Sequence, residues 1–449
     1  MAKIKGFSKL SKTDKIAWLA KHFLTSNPLD IAREFSSYMH ANAELQKVFD
    51  GISENTLTNF YLPYGVAPNF VINGRTYVVP MVIEESSVVA AASAGAKFWS
   101  ERGGFKAEVI STTKVGHVHF LWRGESEKLF DFFHDELKQI LIDGSKHLTE
   151  NMEARGGGLK NIELIDCTHL EPEYYQLKAT FETVDAMGAN FINSVLEDFA
   201  INLTEEIKEN AAFKGAEKEV EVVMSILSNY TPECLVKASV ECEISELGNF
   251  EEAHLNASQF ARKFKTAINI AHHDVYRATT HNKGIFNGID AVILATGNDF
   301  RAIEACGHAY AARNGKYESL SYCEIKGTKF IFSIEIPLAV GTIGGLTKLH
   351  PLAKRSLEML GNPSAKELMK IVACVGLAQN FSAIKALVTS GIQKGHMKMH
   401  LTNILRHFGA TDLEIEKAFA YFATRTVSFS NVRNFLNDLR ADRLSAEKL

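Results

Sequence analysis

Cysteine is scarce in this chain, and the few cysteines are widely separated. The 449 residues include six of them, Cys167, Cys234, Cys242, Cys306, Cys323 and Cys374, and no two form a C-x-x-C pair. Disulfide frameworks belong mainly to short, cysteine-dense secreted domains, and structural zinc sites need paired thiolates. We therefore expect reduced thiols buried in the core.

An excess of charge of one sign is also missing. Lys and Arg number 49 against 53 Asp and Glu, which gives a formal net charge of −4. A protein that binds nucleic acid gains most of its affinity from clustered Lys and Arg. The balance therefore gives no electrostatic case for a nucleic-acid partner.

Long apolar segments are lacking as well. No apolar run approaches the roughly 20 residues that are needed to span a bilayer. The segment Met1–Phe7 alternates Lys with apolar residues and lacks the continuous apolar core of a secretory signal. We expect a cytoplasmic protein without a membrane partner.

Several common catalytic motifs do not occur. No G-x-G-x-x-G follows a predicted strand, and the sequence has neither the P-loop pattern nor a G-x-S-x-G elbow. His396 and His400 lie one helical turn apart, as zinc ligands often do, but Met397 stands where a zinc protease carries its general-base Glu. We interpret the pair as part of a partly exposed helix face and expect no metal.

What is present begins with helices and a hairpin. Apolar residues recur at helical spacing through the first 50 residues. The pair Asn73-Gly74 favours positive φ and predicts a hairpin turn within residues 70–79. Glu84-Glu85-Ser86-Ser87 then opens an Ala-rich helix that ends near Gly103.

The middle of the chain has a different pattern. Strands are predicted near Ala107–Trp122, Asn161–Cys167, Tyr175–Val184 and Glu219–Ile226, with helices near Glu127–His147 and Gly188–Ala211. The order β-α-β-β-α-β is the split-βαβ, ferredoxin-like arrangement. We interpret this stretch as a small domain inserted into a larger one.

Polar residues cluster at three places in the sequence. Asp185-Ala-Met-Gly-Ala-Asn190 lies where a predicted strand turns into a helix, and helix N-termini bind phosphate oxygens, although an ordinary capped helix start is the more common explanation. Arg277, His281-Asn282-Lys283 and Gly297-Asn298-Asp299 lie between Gly-rich turns and apolar segments, where buried charges must be paired. A structural ion-pair network is the alternative for these last clusters.

Longer motifs in a fixed order carry a family resemblance. They are Leu62–Ala67, Val79–Ser93, Asp185–Asn190, Thr280–Asp290, Ala295–Asp299, Gly344–Pro351, Gly376–Asn380 and Gly391–Met397. Together these segments resemble the hydroxymethylglutaryl-coenzyme A (HMG-CoA) reductase family, in its soluble bacterial class II form. The resemblance covers nearly the whole chain.

The resemblance implies an α+β fold of several parts. A large α/β domain would comprise residues 1–108 and 223–385 and bind HMG-CoA. A ferredoxin-like βαββαβ domain at residues 109–222 would bind the dinucleotide, and residues 386–449 would form a helical flap. Family active sites form across a dimer interface, so a homodimer or higher even oligomer is implied.

The implied reaction is the four-electron reduction of the HMG-CoA thioester to mevalonate and CoA by two NAD(P)H, for isoprenoid synthesis. Lys283 would polarise the thioester carbonyl and stabilise the oxyanion. Glu85 would give a proton during reduction of the mevaldehyde intermediate, and Asp299 would hold Glu85 and Lys283 in one hydrogen-bonded network. His396 would protonate the departing CoA thiolate.

The resemblance also assigns binding residues. Ser87, Arg277 and Asn287 would grip the hydroxymethylglutaryl group, and Gln379 would contact CoA. The cofactor would be bound by Asp185, Ala186, Met187, Gly188, Asn190 and Asn229. Members that prefer NADH carry an Asp where alignment places Thr149, so the sequence leans toward NADPH, with Arg155 or Lys160 near its 2′-phosphate.

Three alternatives stay open from the sequence. The same enzyme could run degradatively and oxidise mevalonate with NAD. The chain could be a non-catalytic acyl-CoA-binding homologue, although Glu85, Lys283, Asp299 and His396 are all present. A metal-dependent hydrolase ranks last.

Overall fold

The computed structural model describes residues 3–389, 391, 401–423 and 425–446, and it shows the mixed helix-and-sheet class that the sequence predicts. The strands are β1 (Tyr64–Ile72), β2 (Arg75–Val82), β3 (Lys106–Val109), β4 (Lys114–Trp122), β5 (Gly158–Asp166), β6 (Tyr174–Glu182), β7 (Val220–Leu227), β8 (Leu235–Glu243), β9 (Ser321–Lys326) and β10 (Lys329–Pro337).

Helices cover much of the remaining chain. They are α1 (Lys12–His22), α2 (Pro28–Ser37), α3 (Ala43–Asp50), α4 (Ser86–Ser100), α5 (Ser126–Phe132), α6 (Lys138–Gly144), α7 (Lys146–Glu153), α8 (Ala189–Glu209), α9 (Ala257–His273), α10 (Val275–Ala295), α11 (Phe300–Ala311), α12 (Leu346–Leu349), α13 (Pro351–Met359), α14 (Ala365–Val388), α15 (Asp412–Phe422) and α16 (Phe429–Ala446). A π-helical turn, Phe133–Leu137, joins α5 to α6.

The larger hydrophobic core surrounds an antiparallel sheet with the strand order β3-β8-β10-β9. Helices α4, α9, α10 and α14 pack around it. Trp99 of α4 stacks on Phe330 of β10, with ring centroids 6.2 Å apart, and meets Phe381 of α14 edge-on at 5.0 Å. These aromatic contacts tie the helices to the sheet and so fix the positions of α4 and α10.

Helix α14 runs through this core. A capping box between Ser364 and Glu367 starts it. Among the described helices it is the one that is long and apolar enough to cross a membrane, so the sequence expectation that no segment reaches that length needs correction. In this fold 72% of its apolar window is buried inside the protein, as expected for a core helix.

The predicted hairpin is confirmed. Strands β1 and β2 pair antiparallel with Ile72 opposite Arg75. Asn73 and Gly74 form the two-residue turn with φ of 48° and 83°, values that few residues other than Asn and Gly tolerate. The hairpin leads directly into α4.

A second, smaller core surrounds the sheet of order β5-β6-β4-β7, in which all neighbours are antiparallel. Its elements follow the chain order strand, helix, strand, strand, helix, strand, with α5–α7 and α8 as the helical layers. The inward residues of α8 include Val195, Phe199 and Leu203, which recur at helical spacing and are fully buried.

One predicted strand is wrong in its extent. The stretch predicted as a single strand over 107–122 is two strands in two different sheets, because β3 pairs with β8 of the large sheet and β4 pairs with β6 and β7 of the small sheet. The predicted domain boundary at 222/223 also falls inside β7, which pairs with β4.

The chain enters and leaves the small sheet through neighbouring segments. On the entering side, Ser111 and Val115 each accept a hydrogen bond at their carbonyl oxygens. The donors are the backbone N–H groups of Leu235 at 2.9 Å and Ser228 at 2.8 Å, both on the returning segment. The two connections therefore form a short paired ribbon.

The described C-terminal helices form a cluster of their own. Leu405, Phe422 and Leu436 are among its buried residues. Arg440 of α16 donates to Glu414 of α15 at 2.9 Å. Residues 392–400, within the predicted flap, lie outside the described residues.

Candidate active site

Helix α10 presents two predicted site residues on its exposed side. Asp274 caps the first turn by accepting a hydrogen bond from the N–H of Tyr276 at 3.0 Å. Lys283 and Asn287 are four residues apart and therefore share a face. On the opposite side His281 is buried, so the helix is fixed in rotation by its core face.

Glu85 and Ser87 meet Lys283 across the gap between α4 and α10. Glu85 precedes the first turn of α4, and the Ser87 hydroxyl donates to Glu85 Oε1 at 2.6 Å. Lys283 Nζ lies 3.4 Å from Glu85 Oε2, and the Lys283 side chain is 63% exposed. The structure thus brings an acid, a cation and a hydroxyl together at an open surface, where an incoming carbonyl can reach the ammonium.

Asp299 is held by its own helix. It caps α11, and its Oδ1 accepts from the backbone N–H groups of Arg301 at 3.0 Å and Ala302 at 3.3 Å. The Arg301 guanidinium pairs with the same carboxylate at 3.2 Å. Partial burial opposes ionisation of Asp299, but the bonds from Arg301 and Ala302 outweigh it and lower the pKa.

The predicted network of Asp299, Lys283 and Glu85 is therefore only partly assembled. Within the described part of the chain, no ion pair joins Asp299 to Lys283, because Arg301 occupies the Asp299 carboxylate. His396, the fourth predicted catalytic residue, lies outside the described residues.

Arg277 and Gln379 are more buried than Lys283. Arg277 of α10 is about half buried, and desolvation lowers the pKa of its guanidinium. Gln379 of α14 faces α10 at a close crossing, where a Cβ on Gly288 would lie 2.9 Å from Gln379 Cβ. The buried Oε1 of Gln379 has no hydrogen-bond partner among the described residues.

The segment before α8 holds the predicted cofactor residues. Asp185 does not cap α8, as the sequence suggests; instead its Oδ1 accepts from the N–H of Ala365, at the start of α14, at 2.7 Å. Ala186 forms a parallel bridge to Ile343. These contacts attach the loop to two segments of the large core.

Helix α8 itself begins with a glycine. Gly188 is the N-cap, with φ of 89° and no side-chain cap. Asn190 follows in the first turn, so the N–H groups of this turn are available to an anion. Met187 and Asn229 line one cavity between α8 and α11.

A model of a single protein family matches most of the chain. Its description is hydroxymethylglutaryl-coenzyme A reductase, and it covers residues 16–401. The chain belongs to the HMG-CoA reductase family. The resemblance drawn from the motifs is thereby confirmed, and the matched range includes Glu85, Lys283, Asp299 and the position of His396.

Two curated relatives of the reductase family match over about nine tenths of their own length. A 3-hydroxy-3-methylglutaryl-coenzyme A reductase of Archaeoglobus fulgidus is 37% identical over 420 residues, which cover 93% of this chain and 89% of that protein. A probable reductase of Borreliella burgdorferi is 33% identical and covers 89% of this chain and 90% of its own length.

Solved reductase structures share the fold. A reductase of Streptococcus pneumoniae aligns with a TM-score of 0.70 at 34% identity and covers 98% of this chain and 100% of that one. A class II reductase of the same organism, bound to NADPH in open conformations, aligns at 0.69 with 36% identity over 86% of this chain. These neighbours support the class II assignment.

One residue at the family's candidate cofactor site was missed from the sequence. Lys114 is buried at the start of β4 and lines the cavity that contains Met187 and Asn229. A signal was available, because Lys114 is in phase with the inward positions Gly116 and Val118 of its strand. A lysine at an inward strand position must be paired, which marks it as unusual.

Proposed function

We propose that this chain reduces HMG-CoA to mevalonate and CoA with two equivalents of NAD(P)H, in the mevalonate pathway of isoprenoid synthesis. One observation carries the proposal: Lys283, Glu85 and Ser87 meet at an open surface, with Lys283 Nζ 3.4 Å from Glu85 Oε2. The names of the relatives agree with it.

In the proposed reaction the Lys283 ammonium polarises the thioester carbonyl and stabilises the charge that develops on its oxygen. Glu85 holds the proton for the second carbonyl reduction, and its hydrogen bond from Ser87 orients it. When bound, the nicotinamide supplies the hydride for each reduction. Arg277, Asn287 and Ser87 bind the hydroxymethylglutaryl group, and Gln379 contacts CoA.

The chain's residues fit a dinucleotide. The uncapped first turn of α8 can receive the pyrophosphate, since its N–H groups carry partial positive charge. Gly188 lets the loop pack closely against Thr183, because a Cβ at position 188 would lie 2.4 Å from Thr183 Cγ2. We assign Asp185, Ala186, Met187, Gly188, Asn190 and Asn229 to this site.

For the choice of cofactor we propose NADPH. Thr149 is buried in α7, whereas Arg155 lines a second cavity together with Asp185 and Lys366. Glu182 lines it as well, so the cavity has two cations and two carboxylates, and we propose that Arg155 and Lys366 hold the 2′-phosphate. Lys160 instead donates to Thr113 at 2.7 Å. The NADPH-bound reductase neighbour agrees with this choice.

The remaining assignments belong to the same proposal. The large core binds HMG-CoA, the small ferredoxin-like unit binds the dinucleotide, and residues 386–449 form the flap that carries His396 to the CoA thiolate. Asp299 joins Lys283 and Glu85 when substrate is bound. The enzyme works in the cytoplasm as a homodimer or higher even oligomer.

Oxidation of NADPH and of NADH, followed by absorbance with HMG-CoA as substrate, tests the proposal. We expect Lys283→Ala to lower kcat/KM by about 10²- to 10³-fold, because loss of an electrostatic stabiliser costs about 2.7–4 kcal/mol. CoA binding should persist, and Lys97→Ala, an exposed lysine farther along α4, should leave activity unchanged. Retained activity in Lys283→Ala would refute the mechanism.

A further inference from the structure

The loop that we assign to the cofactor lies against a second loop from the large core. The first, residues 185–188, is called the cofactor loop here, and the second, residues 338–343 after β10, is called the joining loop. The backbone N–H groups of Thr342 and Ile343 both donate to the carbonyl oxygen of Asp185, at 2.8 and 3.3 Å. The position of the cofactor loop therefore depends on the position of the joining loop.

The two loops also meet at a glycine. A Cβ on Gly341 would lie 2.5 Å from the backbone nitrogen of Met187, so no side chain fits between the two backbones. Close-packed groups transmit a displacement because they leave no space to absorb it. A shift of Gly341 is therefore passed directly to Met187.

The side chain of Asn298 holds the joining loop in place. Its Oδ1 accepts a hydrogen bond from the Gly341 N–H at 2.8 Å, and its Nδ2 donates to the hydroxyl oxygen of Thr296 at 3.1 Å. The Thr296 hydroxyl donates in turn to the carbonyl oxygen of Val292 at 2.8 Å, so its oxygen is free to accept. Both ends of the Asn298 amide are thus used, and its oxygen is fixed toward Gly341.

Asn298 precedes the predicted catalytic residue Asp299. The backbone N–H of Asn298 donates to the carbonyl oxygen of Ile293 at 2.9 Å, in the turn between α10 and α11. Asp299, the next residue, caps α11. One side chain therefore connects the turn that carries Asp299 with the loop that supports the cofactor loop.

Other contacts hold the cofactor loop as well. The N–H of Ala365 donates to Asp185 Oδ1 at 2.7 Å, and Lys114 Nζ donates to the carbonyl oxygen of Ala186 at 2.8 Å. Neither contact involves the turn at residues 296–299. Loss of the Asn298 amide should therefore shift the cofactor loop relative to Asp299 rather than unfold it.

We propose that Asn298 is a positioning residue, whose amide keeps the cofactor loop in a fixed place relative to Asp299. Hydride transfer needs the donor and the carbonyl carbon in the correct geometry, and a misplacement of about 1 Å can cost on the order of 10²-fold in rate. Asn298 acts through the Gly341 N–H, so the role requires no contact with substrate or cofactor. The inference rests on the proposed function and adds to it a residue that places the hydride donor.

Steady-state kinetics of Asn298→Leu and Asn298→Asp test this role. Leu has a similar size but no hydrogen-bonding group in its side chain, whereas Asp keeps an acceptor for the Gly341 N–H. With HMG-CoA and NADPH we expect kcat of Asn298→Leu to fall about 10²-fold, while KM for HMG-CoA stays within twofold of the wild type. Asn298→Asp should recover about tenfold of the lost kcat. Asn249→Leu, at an exposed asparagine, is the matched control and should keep the wild-type values.

Hydrogen exchange of the ligand-free protein shows whether the loops have moved. In Asn298→Leu we expect faster exchange in residues 338–343 and 185–188, and in Asn298→Asp a return toward the wild-type rate. Faster exchange throughout the large core, or a kcat of Asn298→Leu within twofold of an active wild type, overturns this inference and leaves the proposed function standing. If Asn298→Leu does not fold, Asn298→Ala takes its place. A wild type that oxidises neither NADPH nor NADH with HMG-CoA overturns the proposed function and this inference together.

Discussion

At the scale of single residues, the pairing of charges decides which roles the structure supports. Lys283 already meets Glu85, but Asp299 is bonded to Arg301. For the predicted catalytic network to form, Asp299 must release Arg301 and pair with Lys283. Arg301 is 77% exposed, so that exchange breaks a surface ion pair of low energy.

Two acidic residues lie next to each other between α10, the helix that carries Lys283, and α11. Asp290 of α10 and Glu304 of α11 are acidic neighbours, and the buried Asp290 Oδ1 has no hydrogen-bond partner among the described residues. Two neighbouring carboxyl groups can share a hydrogen bond only if one of them carries a proton. Burial, followed by the charge of Glu304, raises the pKa of Asp290 from 3.8 to about 8, and Glu84 adds to the effect.

This pair predicts a specific pH dependence of stability. The folded protein keeps a proton on Asp290 that the unfolded chain releases, so the contribution of Asp290 to stability is full below pH 3.8 and is lost as pH rises toward 8. The slope is at most about 1.4 kcal/mol per pH unit. Asp290→Asn cannot titrate but can still donate to Glu304, so its free energy of unfolding should fall less steeply between pH 5 and 8.

Urea unfolding at pH 5, 6.5 and 8 measures these slopes. Asp30→Asn serves as the control, because it makes the same substitution at a side chain that is 68% exposed. The control should follow the wild type at each pH. Parallel curves for Asp290→Asn and the wild type would show that Asp290 is ionised in the folded protein.

At the scale of elements, the start of α8 combines a strained conformation with a close contact. Gly188 has φ of 89°, and a Cβ would lie 2.4 Å from Thr183 Cγ2. The same Thr183 bonds Lys114 and Ala186. A side chain at position 188 would therefore displace the loop that we assign to the cofactor.

Gly188→Ala should cost about 1–3 kcal/mol of stability and weaken NADPH binding at least tenfold. Gly215→Ala is a matched control in the same unit, since Gly215 also has a positive φ of 56° but open space around its Cβ position. The Gly215→Ala variant should lose stability only through backbone strain and should keep the affinity of the wild type for NADPH. Equal affinities in the two variants, measured by calorimetry, would contradict our assignment of the α8 start.

Elements with strong local signals were the ones that the sequence predicted well. The Asn73-Gly74 hairpin is an example, because its turn residues determine the geometry. The split of residues 107–122 between two sheets could not be predicted. Its connecting residues, Ile-Ser-Thr-Thr at 110–113, have β propensity and contain no Gly or Pro, and strand partners are a matter of tertiary packing.

In the candidate site, too, some residues were predicted from the sequence and others were recognised only in the structure. Glu85, Ser87 and Lys283 were found through the motifs, and the structure brings them together. Asp299 was predicted to hold Lys283 and Glu85 in one network, but in the structure its carboxylate is bonded to Arg301, through the capping geometry of α11. Lys114 was missed because its partners, at 183 and 186, are distant in sequence.

At the scale of the whole molecule, the two hydrophobic cores predict two units that unfold with different free energies. The small core is built around β4–β7 and α8, and the large core around β8, β10 and α14. Different cores can open independently, with different free energies. Binding of the cofactor and binding of HMG-CoA should then respond to different substitutions.

Phe199→Ala should cost about 3–5 kcal/mol, because Phe199 is fully buried in the small core. Hydrogen exchange should rise mainly within residues 114–227, NADPH affinity should fall, and CoA binding should persist. Phe260→Ala, equally buried in the large core, is the control and should accelerate exchange there instead. Matching exchange patterns in both variants would show one cooperative unit.

The paired ribbon at the base of the small sheet has a further consequence. Because the carbonyls of Ser111 and Val115 bond the returning chain at Leu235 and Ser228, the segment's two ends are spatial neighbours. If the segment between these ends were removed, a tight turn would reconnect the rest of the chain. The removed segment would in turn fit between the two strands of a hairpin in another protein. Recombination at these joints would therefore exchange the whole unit to which we assign the cofactor, without cutting the large core.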